Sequence, residues 1–133
     1  MSIDLEPNNS PGRAGQDAAI DQDKLLNTIE HDPALLKEVV SVFCSTYPAL
    51  LAELRKAIAK AAFLEIRGTV HQMEGMMASL GATNAVVMLR KMGALARQND
   101  LQPLPQLLQD LNLELDRAKI ALESIVAQSE TVA

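Results

Sequence analysis

At 133 residues the chain is long enough for one domain with a real core and too short for two. Apolar residues make up 48% and aromatics only 2%, so the core must be built from Leu, Ile, Val, Met and Ala, a composition that favours helices. A net charge of −5 argues against non-specific nucleic-acid binding, and three aromatics (Phe43, Tyr47, Phe63) make no stacking platform for single strands.

Residues 1–16 carry Pro7, Asn8, Asn9, Ser10, Pro11, Gly12 and Gly15 without a periodic apolar face, which predicts a flexible leader. The bundle proper is expected over 17–128, with a short tail at 129–133. A first short helix is predicted from Ala18 to Glu30, burying Ile20, Leu25, Leu26 and Ile29. His31-Asp32-Pro33 reads as a stop and restart: Asp32 caps, Pro33 suits the first helical position, and His31 faces solvent without a role. The next helix alternates Leu36, Val40, Phe43, Tyr47, Leu50, Leu54 and Ala57, with Pro48 removing one backbone donor and predicting a kink near Cys44.

No Gly or good cap separates Ala57 from Phe63. A break is still expected near Lys60 to Ala62, because an unbroken helix from Pro33 to Leu80 exceeds what a domain of this size can use. Phe63, Ile66, Val70, Met73, Met77 and Leu80 then form the buried stripe of a helix ended by Gly81-Ala82-Thr83-Asn84, with Gly81 suited to a left-handed position. Val86, Leu89, Met92 and Ala96, flanked by Ala85, Met88 and Leu95, mark another helix. A turn follows at Asn99-Asp100 and Pro103 to Pro105. Leu104, Leu108, Leu111, Leu115, Ala118, Leu122 and Ile125 mark the last helix. The fold class is therefore all-α: an antiparallel four-helix bundle with a short extra N-terminal helix.

The candidate functional residue is His71. At about 100° per residue it points roughly 130° away from the buried stripe, on a face with Leu64, Arg67, Gly68, Gly75 and Ala78. Gly68 and Gly75 each cost about 1 kcal/mol relative to Ala inside a helix, and close approach of a partner to the imidazole would offset that cost. Tolerated glycines without a role are the competing reading. Met73 and Met77 lie on the opposite stripe, so convergence with His71 on a metal is not expected, and no metal site is assigned. No Ser-His-Asp set, paired carboxylates or phosphate loop points to a self-contained enzyme.

The run His71, Met73, Glu74, Gly75, Gly81, Ala82 resembles the signature of histidine-containing phosphotransfer (HPt) domains. That signature has His, an apolar residue two on, Lys three on, Gly four on and Gly-Ala ten and eleven on. Leu54, Ala57, Ile58, Phe63 and Ile66 fall where the family's upstream apolar positions lie, and the similarity covers about residues 20 to 127. The resemblance implies a phosphorelay intermediate of two-component signalling, a phosphoryl carrier rather than an enzyme with nucleotide chemistry of its own. His71 would accept the group from a receiver-domain aspartate and pass it on. The implied partner is a response-regulator receiver domain, with a hybrid histidine kinase as a second candidate. No cofactor is expected, Mg²⁺ being supplied by the receiver.

Departures accompany the matches. Glu74 stands where the family has Lys, and at about 6 Å its charge would oppose a phosphohistidine by roughly 1 to 3 kcal/mol unless another cation compensates. Met76 stands where Ser is common. Gly93 stands where some members have a ring-supporting Gln. Pairing the His71 helix with the next about residues 81 and 82 makes facing positions sum to about 163, which brings Arg90, Lys91 and Arg97 toward His71. Arg97 is the first candidate for a phosphate partner and Arg67 the second, although exposed Arg is ordinary on helices. Leu64, Gly68, Gly75 and Ala78 are the candidate docking surface.

Two other functions fit the same residues: a non-phosphorylated HPt-like adaptor that binds a receiver or kinase through this face, and a bundle whose dimer interface buries it. Cys44 is the only cysteine, which suits a reduced, cytoplasmic setting. No apolar run is expected to approach a membrane span in length, Met1 is not followed by a signal-peptide pattern, and a monomer is expected.

Overall fold

A computed structural model describes residues 18–132, so the leader expected over residues 1–16 lies outside the described residues. The described elements are all helical: α1 (Gln22–Thr28), α2 (Pro33–Ala59), α3 (Phe63–Ser79), α4 (Thr83–Arg97) and α5 (Leu104–Val132). Helix α2 packs on α3 and α5, and α4 packs on the same two, so the four long helices close a ring around one aliphatic core. The predicted stripes supply that core. Phe43, Leu54, Ile66, Met73, Met77, Leu89, Met92, Leu111 and Leu115 are fully buried.

Each helix end has an identifiable cause. Asp32 accepts hydrogen bonds from the backbone N–H of Ala34 (3.0 Å) and Leu35 (3.3 Å), with Pro33 at the first helical position of α2. At the end of α3, Gly81 takes φ +75°. Its N–H donates to the Ala78 carbonyl and that of Ala82 to the Met77 carbonyl, the paired bonds of a Schellman stop.

The break after α2 has the same architecture without a glycine. Ala61 sits at φ +52°, donating to Ile58, while Ala62 donates to Ala57. Asn99, at φ +57°, ends α4 in the same way. The predicted break near Lys60 to Ala62 is thus present, made by an alanine held in a conformation that alanine disfavours.

Three expectations need correction. Helix α1 spans only Gln22–Thr28, because Asp21 caps it and its own N–H is committed to the Gly81 carbonyl at 2.7 Å. At the other end Glu30 and His31 have left-handed backbone and cannot continue it. Pro48 lies inside α2, which runs continuously from Pro33 to Ala59. Helix α5 runs through 129–132, so the expected tail is helical as far as Val132. Finally, α2 is long and apolar enough, by length and composition, to cross a membrane. Its apolar stripe is occupied in the bundle, where Leu36, Val40, Phe43, Tyr47 and Leu50 are buried.

Helices α2 and α5 have 27 and 29 residues, against 17 and 15 for α3 and α4. The long pair therefore overhangs the α3–α4 turn by about ten residues, or roughly 15 Å. Helix α1 packs at that end through Leu25 and Ile29, and Lys37 and Glu130 form an ion pair across the overhang at 3.1 Å. Gly81 anchors this arrangement, because a Cβ there would lie 2.6 Å from the Asp21 carbonyl oxygen.

Candidate functional site

His71 is the central residue of α3, with eight helical residues on either side, and its side chain faces solvent. Ile66, Val70, Met73 and Met77 hold the opposite face of α3 in the core, which fixes the rotation of the helix and hence the outward direction of the imidazole. Leu64, Arg67, Gly68, Gly75 and Ala78 are all exposed on the His71 side, Leu64 to 77%. A Cβ built on Gly68 or Gly75 would meet nothing within 4 Å, so no packing among the described residues requires either glycine. Met73 and Met77 are completely buried, on the far side of the helix from the imidazole.

The register between α3 and α4 follows the predicted pairing. A Cβ on Gly93 would lie 3.5 Å from Val70 Cγ1, and Arg90 Nε lies 2.9 Å from Glu74 Oε2. The result is an open pocket of about 320 Å³ along the α3–α4 groove. Val70 and Gly93 are its buried members, and Arg67, His71 and Glu74 from α3 meet Arg90 and Arg97 from α4 around it. All three candidate support residues, Arg97, Arg67 and Glu74, are thereby brought beside the histidine.

Glu74 is not a bare negative charge in this pocket. Its half-buried carboxylate is held by Arg90, the compensating cation that the sequence left open. Arg97 Nη1 lies 3.6 Å from where a Gly93 Cβ would be, an ordinary contact distance that sets the guanidinium beside Gly93 on α4. Among the described residues, neither Arg67 nor Arg97 has an ion-pair partner. Three guanidiniums against one carboxylate give the pocket a local charge of +2 in a chain whose net charge is −5.

A second feature of this face escaped the sequence reading. On the α2 flank of α3, a mostly apolar groove of about 390 Å³ is lined by Leu35, Val39, Val42, Phe43, Met76 and Leu80, together with Glu38 and Ser79. Leu35, Val39 and Val42 recur at helical spacing beside the main core stripe of α2, a signal hidden by the stronger stripe it adjoins. A larger cleft of about 410 Å³, between α1 and the overhanging ends of α2 and α5, includes His31 and Asp32, with Asp32 committed to capping α2.

The helical ring and a central, outward histidine in a cationic groove define the general class: a four-helix module built around an accessible imidazole. The family model of the Hpt domain matches residues 38–121, and the chain belongs to the Hpt domain family. Searches of curated proteins and of solved structures give no match. Membership makes the chain a phosphotransfer module of two-component signalling, in a family of phosphocarriers that work with receiver domains and histidine kinases.

Proposed function

We propose that His71 is the phosphoacceptor of a phosphorelay intermediate. One observation carries the reading: an exposed imidazole stands at the middle of a rigid helix, beside a pocket walled by three arginines. An imidazole nitrogen attacks the phosphorus of a receiver aspartyl phosphate. The N–P bond forms as the P–O bond to the aspartate breaks, and the aspartate departs as a carboxylate. The reverse reaction passes the group to another receiver. Because the transition state is loose, the protein's contribution is positioning and charge, which a fixed helix and guanidiniums provide.

The receiver brings its own Mg²⁺ and docks over Leu64, Gly68, Gly75 and Ala78. The module acts as a monomer in the cytoplasm, where nucleotide-derived phosphate enters the relay. Glu74 in place of the family's Lys is the feature that favours a second reading, a non-phosphorylated adaptor using the same surface, and its pairing with Arg90 weakens that argument. Incubation with a phosphorylated receiver separates the two. Acid-labile label on the wild type and none on His71→Gln supports the relay. Equal labelling of both proteins, or a stable complex without label, opposes it.

A further inference from the structure

We propose that Glu74 is the anchor of Arg90, and that this anchored arginine supplies the His71 pocket with the cation the family carries at the position of Glu74. The inference rests on the reading of His71 as phosphoacceptor and adds a positioning pair to it.

The geometry is specific. Glu74 Oε2 accepts from Arg90 Nε at 2.9 Å, and Nε is the donor nearest the arginine stem. The two terminal nitrogens, with four N–H donors between them, have no hydrogen-bond partner among the described residues. Side-chain exposure is 28% for Glu74 and 68% for Arg90, so the carboxylate is the sheltered partner and the guanidinium the outer one. The pair bridges α3 and α4 beside the histidine, with Glu74 three residues on from His71, and both residues wall the same pocket.

An acid alone at position 74 would repel a phosphoryl group. An acid that holds an arginine by its inner nitrogen instead directs a free fork of donors, the geometry that suits phosphoryl oxygens. A lysine at position 90 could not do the same, because its single nitrogen would be shared between Glu74 and the phosphate.

Phosphoramidate is a suitable probe, since it reacts without any receiver. The imidazole attacks phosphorus, the N–P bond to His71 forms, and the P–N bond of the donor breaks with ammonia as leaving group. With the full chain at a fixed phosphoramidate-to-ammonia ratio, phosphorus NMR reads the equilibrium ratio of phosphorylated to free His71. Arg90→Gln is expected to lower that ratio about three- to ten-fold, with Arg90→Lys in between. The swapped protein Glu74→Arg/Arg90→Glu, which keeps an anchored fork, is expected to stay within about two-fold of wild type. A pair that merely stabilises the fold would move the melting temperature and leave the ratio untouched.

An unchanged ratio in Arg90→Gln, with the wild type phosphorylated, overturns the proposal while sparing the phosphoacceptor reading. A swapped protein as poor as Arg90→Gln overturns the anchoring. A wild type that takes no phosphate overturns both.

Discussion

Gly68 and Gly75 flank His71 with open space above each, so their helix-weakening effect is unrelieved by any contact among the described residues. Stability and transfer should then separate in Gly75→Leu. A Cβ at this exposed position meets nothing among the described residues, and the gain in helix propensity is about 0.5 to 1 kcal/mol, so the melting temperature is expected to rise by a few degrees. The same side chain stands one turn from the imidazole and is expected to slow phosphoryl transfer from a receiver by about a hundred-fold, because the partner can no longer reach the reacting geometry. Thermal melts and a transfer time course on one preparation check both halves; transfer at the wild-type rate contradicts the clearance argument.

Among the elements, the ends of the helices are the most informative. Left-handed Ala61 ends α2 where Gly81 and Asn99 end α3 and α4. An L-residue with a Cβ pays about 1 kcal/mol or more in that conformation, so Ala61→Gly is expected to stabilise the fold by up to about 1 kcal/mol, measured by urea denaturation. Gly81→Ala should act in the opposite direction by more than about 2 kcal/mol, since it adds backbone strain to a 2.6 Å approach to the Asp21 carbonyl.

These positions also mark how far the elements could be read beforehand. The Asp32-Pro33 start and the Gly81 stop are written in residue types that do only a few things. The stop at Ala61 is not: only helix length demands a break there, and tertiary packing of α2 against α3 enforces it. Helix α1 proved shorter than its apolar residues suggest because a long-range bond from Asp21 to Gly81 takes the backbone elsewhere, which no local pattern reveals.

At the scale of the molecule, α2 and α5 close the ring, and Tyr47 on α2 donates its phenolic O–H to Asp116 on α5 at 3.1 Å. Burial, followed by the hydrogen bond to Asp116 and that carboxylate's charge, pushes the Tyr47 hydroxyl up from 10 to about 12. Between pH 10 and 12 the unfolded chain has lost this proton while the folded chain keeps it, so stability falls as pH rises through that window. Tyr47→Phe should be less stable than wild type at pH 8 and show a flatter alkaline decline, as read by melts from pH 8 to 12.

The site was legible in outline because it depends on helix phase. The core stripe of α3 places His71 outward, and the pairing of α3 with α4 brings Arg97 within the same pocket. What escaped is the outcome of side-chain choice: Glu74 selects Arg90, a pairing decided between helices rather than along one.

The most direct measurement locates the phosphoryl group itself. Phosphorus NMR of the chain after exposure to a phosphorylated receiver should show one N–P resonance that vanishes in acid and is missing from His71→Gln. A resonance that persists in His71→Gln, or none in the wild type under conditions where the receiver is loaded, would contradict His71 as the carrier of the phosphoryl group.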